Sequence, residues 1–153
     1  MSTARRTPGT RLPAHAWVVA LVTFALYVGG ARDFLLILGR DTDYVVGQFG
    51  VGGSAYFADY PPALRVLWAV AVVSGLVAPC LLLARSRWAV PTALLAVASQ
   101  AVLLVVTFAV RDRWAALGAA TAWFDLGILV VAALFAGYCW AARGRGVLRS
   151  AGR

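Results

Sequence analysis

The sequence is poor in charge and in the residues that usually carry chemistry. Charged residues make up 13% of the chain, half the ~25% of an ordinary soluble domain. There is no glutamate or lysine, one histidine, and only two cysteines, which do not form a CxxC motif. These absences exclude paired glutamates, a bis-histidine haem, a zinc signature and a disulfide scaffold. No Ser-His-Asp set is present either, so the sequence predicts neither catalytic residues nor a cofactor.

Apolar residues dominate the chain instead. They form 62% of its 153 residues, and the mean hydropathy is +0.82. A soluble globule of this size has too few interior positions to hide so much apolar surface, so the sequence predicts an integral membrane protein. The net charge of +8 would suggest nucleic acid in a soluble domain. Here the arginines lie at the ends of apolar runs, so we expect membrane lipids with anionic headgroups as the partner and no nucleic acid.

Four apolar stretches are long enough to span a bilayer. A hydrocarbon core of ~30 Å needs about 20 apolar residues in a helix. The runs lack the alternation of a barrel strand, and only helices otherwise satisfy their backbone in lipid. The sequence therefore predicts an all-α fold, a four-span transmembrane helical bundle. The predicted spans are 14–38, 62–84, 88–110 and 116–142.

The distribution of arginine predicts which side of the membrane each connection faces. Nine arginines belong to the two tails and the connection between spans two and three, and at most five to the other side. By the positive-inside rule both termini are cytoplasmic. This gives a basic N-tail at 1–13, a basic C-tail at 143–153, and an extracytoplasmic loop at 39–61 rich in glycine and aromatic residues. The N-terminus has some features of a signal peptide, but the apolar run continues to Leu38, so we expect the first helix to be retained.

Asp125 is the polar residue that most needs an explanation, because a carboxylate deep in the membrane costs ~2.5–3.5 kcal/mol. Small residues share its side of the fourth span, so we expect it to face the bundle interior. Counting from the outer helix ends, Asp125, Arg32 and Gln100 lie about 13, 9 and 15 Å deep. The sequence predicts that these three form a buried polar cluster. Arg65 is the alternative partner for Asp125, and Thr107 shares the face of Gln100.

The cluster has two interpretations that the sequence leaves open. A buried carboxylate near a cation can exchange protons or hold a small polar solute. It can also be a structural ion pair that fixes helix register. Asp33 lies beside Arg32 in the sequence and is a rival partner for that arginine.

Three aspartates of the predicted loop are weak candidates for metal ligands. Asp41-Thr-Asp43 matches a short Asp-x-Asp motif, and Asp59 is a possible third ligand. Such a short match in a polar segment is common by chance, so we expect no metal. The two cysteines, Cys80 and Cys139, are expected to be small apolar residues with reduced thiols.

Four short segments resemble a known group of proteins. The segments are Ala55-Tyr-Phe-Ala-Asp-Tyr-Pro-Pro62, Leu67-Trp-Ala-Val-Ala-Val72, Leu81-Leu-Leu83 and Arg87-Trp-Ala-Val90. Together they resemble small, uncharacterised bacterial four-helix membrane proteins, some of which carry an automatic sugar-transporter label. The resemblance covers about residues 55–110. It implies four helices in a bacterial cytoplasmic (inner) membrane and supplies no site residues.

These observations give three functional hypotheses. The first is a protein, not an enzyme, that binds or transports a small polar solute or a proton, and a single narrow protomer would then act as a homo-oligomer. The second is an accessory subunit that docks partner helices through the small residues Gly118-Ala119-Ala120 and the segment 127–137. The third is a membrane enzyme that acts on a lipid or quinone, with the loop aspartates as metal ligands.

Overall fold

A computed structural model describes residues 12–148, and every regular element in that range is an α-helix. The helices are α1 (Ala14–Leu38), α2 (Thr42–Ala58), α3 (Pro62–Leu83), α4 (Ala89–Val110) and α5 (Arg113–Gly144). Four of them, α1, α3, α4 and α5, are long and apolar enough to cross a membrane. The all-α fold and the four candidate spans are therefore confirmed. The predicted tails, with Arg5, Arg6, Arg11, Arg149 and Arg153, lie largely outside the described residues.

The helix ends follow from local chemistry. Pro61 precedes α3 and Pro62 occupies its first turn, where a missing backbone N–H removes no helical hydrogen bond. Asp112, with φ of 42°, forms a sharp left-handed turn between α4 and α5. This turn lets α5 begin at Arg113, three residues before the predicted start of the fourth span.

The centre of the bundle is the pair α3 and α4, with α1 packed on α3 and α5 packed on α4. Alanines fill many of these contacts, including Ala71, Ala78, Ala93 and Ala136, all 5% exposed or less. Small side chains let helices approach closely in a membrane, where packing drives association. Helices α1 and α5 touch each other over only a short length, so a gap remains between them.

One of the contacts between α1 and α3 is especially close. A Cβ atom added to Gly75 would overlap the ring of Tyr27, which is 5% exposed. We therefore expect Gly75→Ala to lower the free energy of unfolding by about 1–3 kcal/mol, because the tyrosine must leave its rotamer. Thermal unfolding of the purified protein in detergent measures the effect. Gly137→Ala is the matched control, since a Cβ there meets no atom within 4 Å. An equal response of the two variants would contradict the close contact.

The connection 39–61 was predicted as a loop, and this is wrong over most of its length because it contains α2. Asp41 caps the helix by accepting a hydrogen bond from the backbone N–H of Tyr44 at 2.9 Å. The glycine content of the segment suggested a loop. However, α2 buries Val45, Tyr56 and Phe57 against the ends of the other helices. Tertiary packing thus stabilises a helix that the composition does not predict.

Glycine kinks divide α2 and α5. Gly50 has φ 69° and ψ −172°, and Gly118 has φ 81° and ψ 163°, a region open essentially only to glycine. A Cβ at either position would meet no atom within 4 Å, so glycine is needed there for its backbone conformation. The Gly118 kink separates a first turn, Arg113–Leu117, from the long remainder of α5.

Helix α2 and the first turn of α5 cover one end of the bundle, and we call them the cap. They are in close contact, because a Cβ added to Gly52 would lie 2.9 Å from the carbonyl oxygen of Ala116. An apolar and aromatic cluster joins the cap to the bundle. Its buried members are Val45, Tyr56, Phe57, Tyr60, Leu64, Leu103 and Leu117.

Candidate functional site

An ion pair joins the cap to the bundle. The Nε of Arg113 donates a hydrogen bond to Oδ2 of Asp125 at 2.7 Å, and the two side chains are only 11% and 12% exposed. It is the one salt bridge found among residues 12–148. In a straight helix these residues, twelve positions apart, would be separated by about 18 Å. The kink at Gly118 turns the first turn of α5 back over the bundle and brings them together.

The predicted partners of Asp125 do not contact it. Arg32 lies on the surface, and its guanidinium stands over the ring of Tyr44, 5.3 Å from the centroid. Arg65 forms no ion pair in the described part of the chain. The prediction of an Arg32–Asp125 contact is wrong because it assumed that α5 is straight and that Arg113 belongs to the outer connection. A glycine five residues after a helix start was the available signal for the kink.

A cavity of about 480 Å³ lies beside the ion pair. All five helices contribute to its wall, and Asp125, Arg113 and Gln100 are among the lining residues. Arg32, Arg65 and Thr107 are not. The structure thus places two members of the predicted cluster, Asp125 and Gln100, in one cavity and puts Arg113 where Arg32 was expected.

Several buried polar groups of the cavity wall have no partner in the described chain. Gln100 is 7% exposed, and its side-chain amide forms no hydrogen bond with another described residue. The hydroxyl groups of Tyr27 and Tyr60 are buried and likewise unpaired. A buried polar group without a partner costs about 1–3 kcal/mol, a cost that a bound molecule or an ordered water would remove. By contrast, the Thr107 hydroxyl donates to Leu103 and Leu104 carbonyls of its own helix.

Arginine and tyrosine hold the cap on the end of α4. The guanidinium of Arg111 lies 5.0 Å from the ring centroid of Tyr56 and 5.5 Å from that of Tyr60. It also donates a hydrogen bond of 3.0 Å to the backbone oxygen of Tyr56. Arg113 adds a further contact, 5.8 Å from the Tyr56 ring. Such cation–π contacts contribute about 0.5–2 kcal/mol each. Sequence analysis missed this set because each arginine lies 51 to 57 positions from the tyrosines that it contacts.

A second link joins the cap to α1. The hydroxyl of Tyr44 donates a hydrogen bond of 2.5 Å to Oδ1 of Asp33, which also lines the cavity. Asp33 was expected as a rival partner of Arg32, and the structure gives it a tyrosine instead. This bond holds α2 beside the C-terminal end of α1.

Tyr44 and Tyr60 are expected to make the stability of the folded protein depend on pH. Burial, and for Tyr44 also the hydrogen bond to Asp33, raises the pKa of Tyr44 and of Tyr60 from 10.0 to about 12. A raised pKa favours the neutral form in the folded protein. The stabilisation is therefore complete below pH 10 and is lost as the pH rises through about 12. Subtracting the ultraviolet phenolate titration of Tyr44→Phe from that of the unmodified protein should show a midpoint near 12. A midpoint at 10.0 would contradict the buried bond.

The candidate metal ligands are not brought together. Asp41 caps the start of α2, and Asp59 follows its last residue. Asp43 is exposed in the first turn. Within the described range, no three His, Cys, Asp or Glu side chains are grouped to hold a metal ion. Cys80 and Cys139 are both free thiols, the first exposed and the second buried.

Comparisons of the chain with protein-family models, with curated proteins and with solved structures find no match. A functional conclusion therefore depends on the geometry of the cavity.

Proposed function

We propose that the protein binds a small molecule through the polar groups of this cavity and carries it, or a proton, across the membrane. The observation that supports the proposal is the unpaired amide of Gln100 beside the Arg113–Asp125 ion pair in one cavity of about 480 Å³. Intramembrane charges that face a cavity in place of lipid are typical of substrate and ion pathways. A cavity of this volume fits a small ligand.

The position of the ion pair suggests how binding is coupled to movement. Arg113 belongs to the cap, and Asp125 belongs to the long part of α5 beyond the Gly118 kink. A ligand group that competes for either charge weakens the ion pair and loosens the cap. Binding would then favour a form in which the cap is open at the outer end. This requires that the ligand bind the open form more tightly than the closed form.

The proposal is tested by thermal unfolding of the purified protein with a panel of small molecules that carry polar groups and range from water-soluble to lipid-soluble. A solute at 100 times its Kd should stabilise the protein by about 2.7 kcal/mol. Asp125→Asn and Gln100→Ala should abolish that shift, and Gln100→Ala leaves the ion pair intact. Asp43→Asn is the control, since it removes a surface carboxylate outside the cavity. A shift that survives both cavity substitutions would overturn the proposal, as would the absence of any stabilising solute.

We also propose that both termini and the α3–α4 turn face the cytoplasm, with the cap outside. This direction is supported by the positive-inside rule. Asp59 and Arg87 are exposed at opposite ends of the bundle. In a Cys80→Ser background, a membrane-impermeant thiol reagent added to intact cells should label Asp59→Cys and leave Arg87→Cys unlabelled. The reverse pattern would reverse the proposed direction.

An accessory role has one observation in its favour. Gly127 and Gly137 of α5 are exposed, and a Cβ at either would meet no atom within 4 Å. These positions suit close approach of another helix, from a second copy or a partner subunit. A stoichiometric partner that co-purifies in mild detergent and is lost in Gly127→Leu would support this alternative. A single monodisperse species would count against it.

A further inference from the structure

The opening of the cavity lies in the side of the bundle. The lining residues on α1 include Ala25 and Gly29, and those on α5 include Ala120 and Phe124. All four are exposed on the surface, whereas Gln100 and Asp125 on the inner wall are buried. The exposed residues flank the gap where α1 and α5 touch only briefly. The mouth of the cavity is therefore this gap.

The mouth lies at a depth that lipid tails occupy. Gly29 and Ala25 are nine and thirteen residues before Leu38 at the end of α1, or about 14 and 20 Å along the helix. Both distances fall within the hydrocarbon layer of ~30 Å. A Cβ added to Gly29 or Gly30 would meet no atom within 4 Å, so the α1 side of the gap is open.

The cap covers the route from the outer aqueous phase. Phe49 and Phe57 of α2 form the cavity wall on that side, and they contact each other with ring centroids 5.5 Å apart. Phe57 also stacks on Trp68 of α3. This aromatic layer narrows the cavity on the side of α2, where the exposed Gln48 also lines it.

The inner wall around Gln100 offers hydrogen bonds but no unpaired charge, because the Arg113 and Asp125 charges are paired with each other. The Asp33 carboxylate, which lines the cavity near the C-terminal end of α1, accepts a hydrogen bond from Tyr44. The unpaired groups are the amide of Gln100 and the hydroxyls of Tyr27 and Tyr60. These groups both donate and accept hydrogen bonds, and apolar side chains surround them.

We infer that the ligand is a lipid-soluble molecule with an uncharged, hydrogen-bonding head, which reaches the cavity from the bilayer between α1 and α5. The inference rests on the proposed binding function and narrows its substrate class. The head meets the amide of Gln100, and the apolar part lies in the gap.

The probe for this inference is a long-chain alcohol that carries a diazirine, added to vesicles containing the full chain. After illumination, mass spectrometry maps the labelled residues. We expect labelling of the buried lining residues Gln100 and Leu104, besides the lipid-facing Val105. Gln100→Leu should lower the labelling of Leu104 about fivefold, because one hydrogen bond to the head is lost. Ser99→Ala, which removes a neighbouring buried hydroxyl outside the cavity wall, should not.

A matched pair of glycine variants tests the route. Gly29→Phe fills the gap without a clash and should lower the labelling of Leu104 roughly tenfold. Gly127→Phe adds the same ring at an exposed helical glycine away from the cavity and should leave it unchanged. Labelling of Val105 should be equal in all variants. Undiminished labelling of Leu104 in Gly29→Phe would overturn the lateral route.

A second probe separates this inference from the proposed function. A water-soluble polyol that carries the same diazirine is added outside the vesicles. If the polyol labels Gln100 and the alcohol does not, the lipid-soluble class is wrong and the binding function stands. If neither probe labels the inner wall, both proposals fail.

Discussion

Asp125→Ala is expected to lower the free energy of unfolding by about 3–5 kcal/mol, the largest effect of any single substitution considered. The reason is that the substitution leaves the buried Arg113 guanidinium without a negative partner. The guanidinium remains buried at 11% exposure without its carboxylate, and the other acid that lines the cavity, Asp33, is hydrogen-bonded to Tyr44. Thermal unfolding in detergent, or retention of folded protein after heating, measures the loss.

The double variant Arg113→Met with Asp125→Leu is the control for this expectation. Removing both charges together leaves nothing unpaired, so we expect it to recover most of the lost stability. Such recovery would show that Asp125→Ala destabilises the protein because it leaves the Arg113 charge buried and unpaired. A cost below about 1 kcal/mol for Asp125→Ala would instead mean that the pair is solvated, contrary to its burial.

Gly118→Val is the second substitution with a large expected effect. Valine cannot adopt φ 81° and ψ 163° without strain of about 1–3 kcal/mol, so the first turn of α5 must change direction. A changed direction also separates Arg113 from Asp125. We therefore expect a loss of stability together with a loss of the ion pair. Gly127→Val, at a helical glycine of the same helix with open space around it, should have a much smaller effect.

A double-mutant cycle distinguishes backbone strain from loss of the ion pair. Once Gly118→Val has separated the charges, adding Asp125→Ala should cost far less than it does in the unmodified chain. If the two effects simply add, the kink does not position Arg113, and the account of the ion pair given above is wrong.

The apolar spans could be predicted from the sequence because length and hydropathy alone define them. All four predicted spans have helical counterparts, with ends within three residues of the prediction. Helix α2 could not be predicted, because its stability comes from burying Val45, Tyr56 and Phe57 against distant helices. A glycine-rich composition gives no sign of that packing.

The candidate site could likewise be predicted from the sequence only in part. The inward direction of Asp125 and its shared level with Gln100 follow from helical periodicity, and both line one cavity. The partner of Asp125 depends on a single backbone conformation at Gly118, which spacing along an ideal helix cannot reveal. The long apolar helices were thus predictable, and the break at Gly118 within α5, which brings Arg113 to Asp125, was not.

The Tyr27–Gly75 contact has a consequence for how the bundle can deform. Only 11% of the most apolar stretch of α1 is buried, against 39% for the corresponding stretches of α3 and α4. Of the four candidate spans, α1 is therefore the one whose displacement costs the least free energy of packing. Its close contact with Gly75 holds the middle of the helix against α3. A tilt of α1 about that pivot would move its C-terminal half and so change the width of the opening that faces α5.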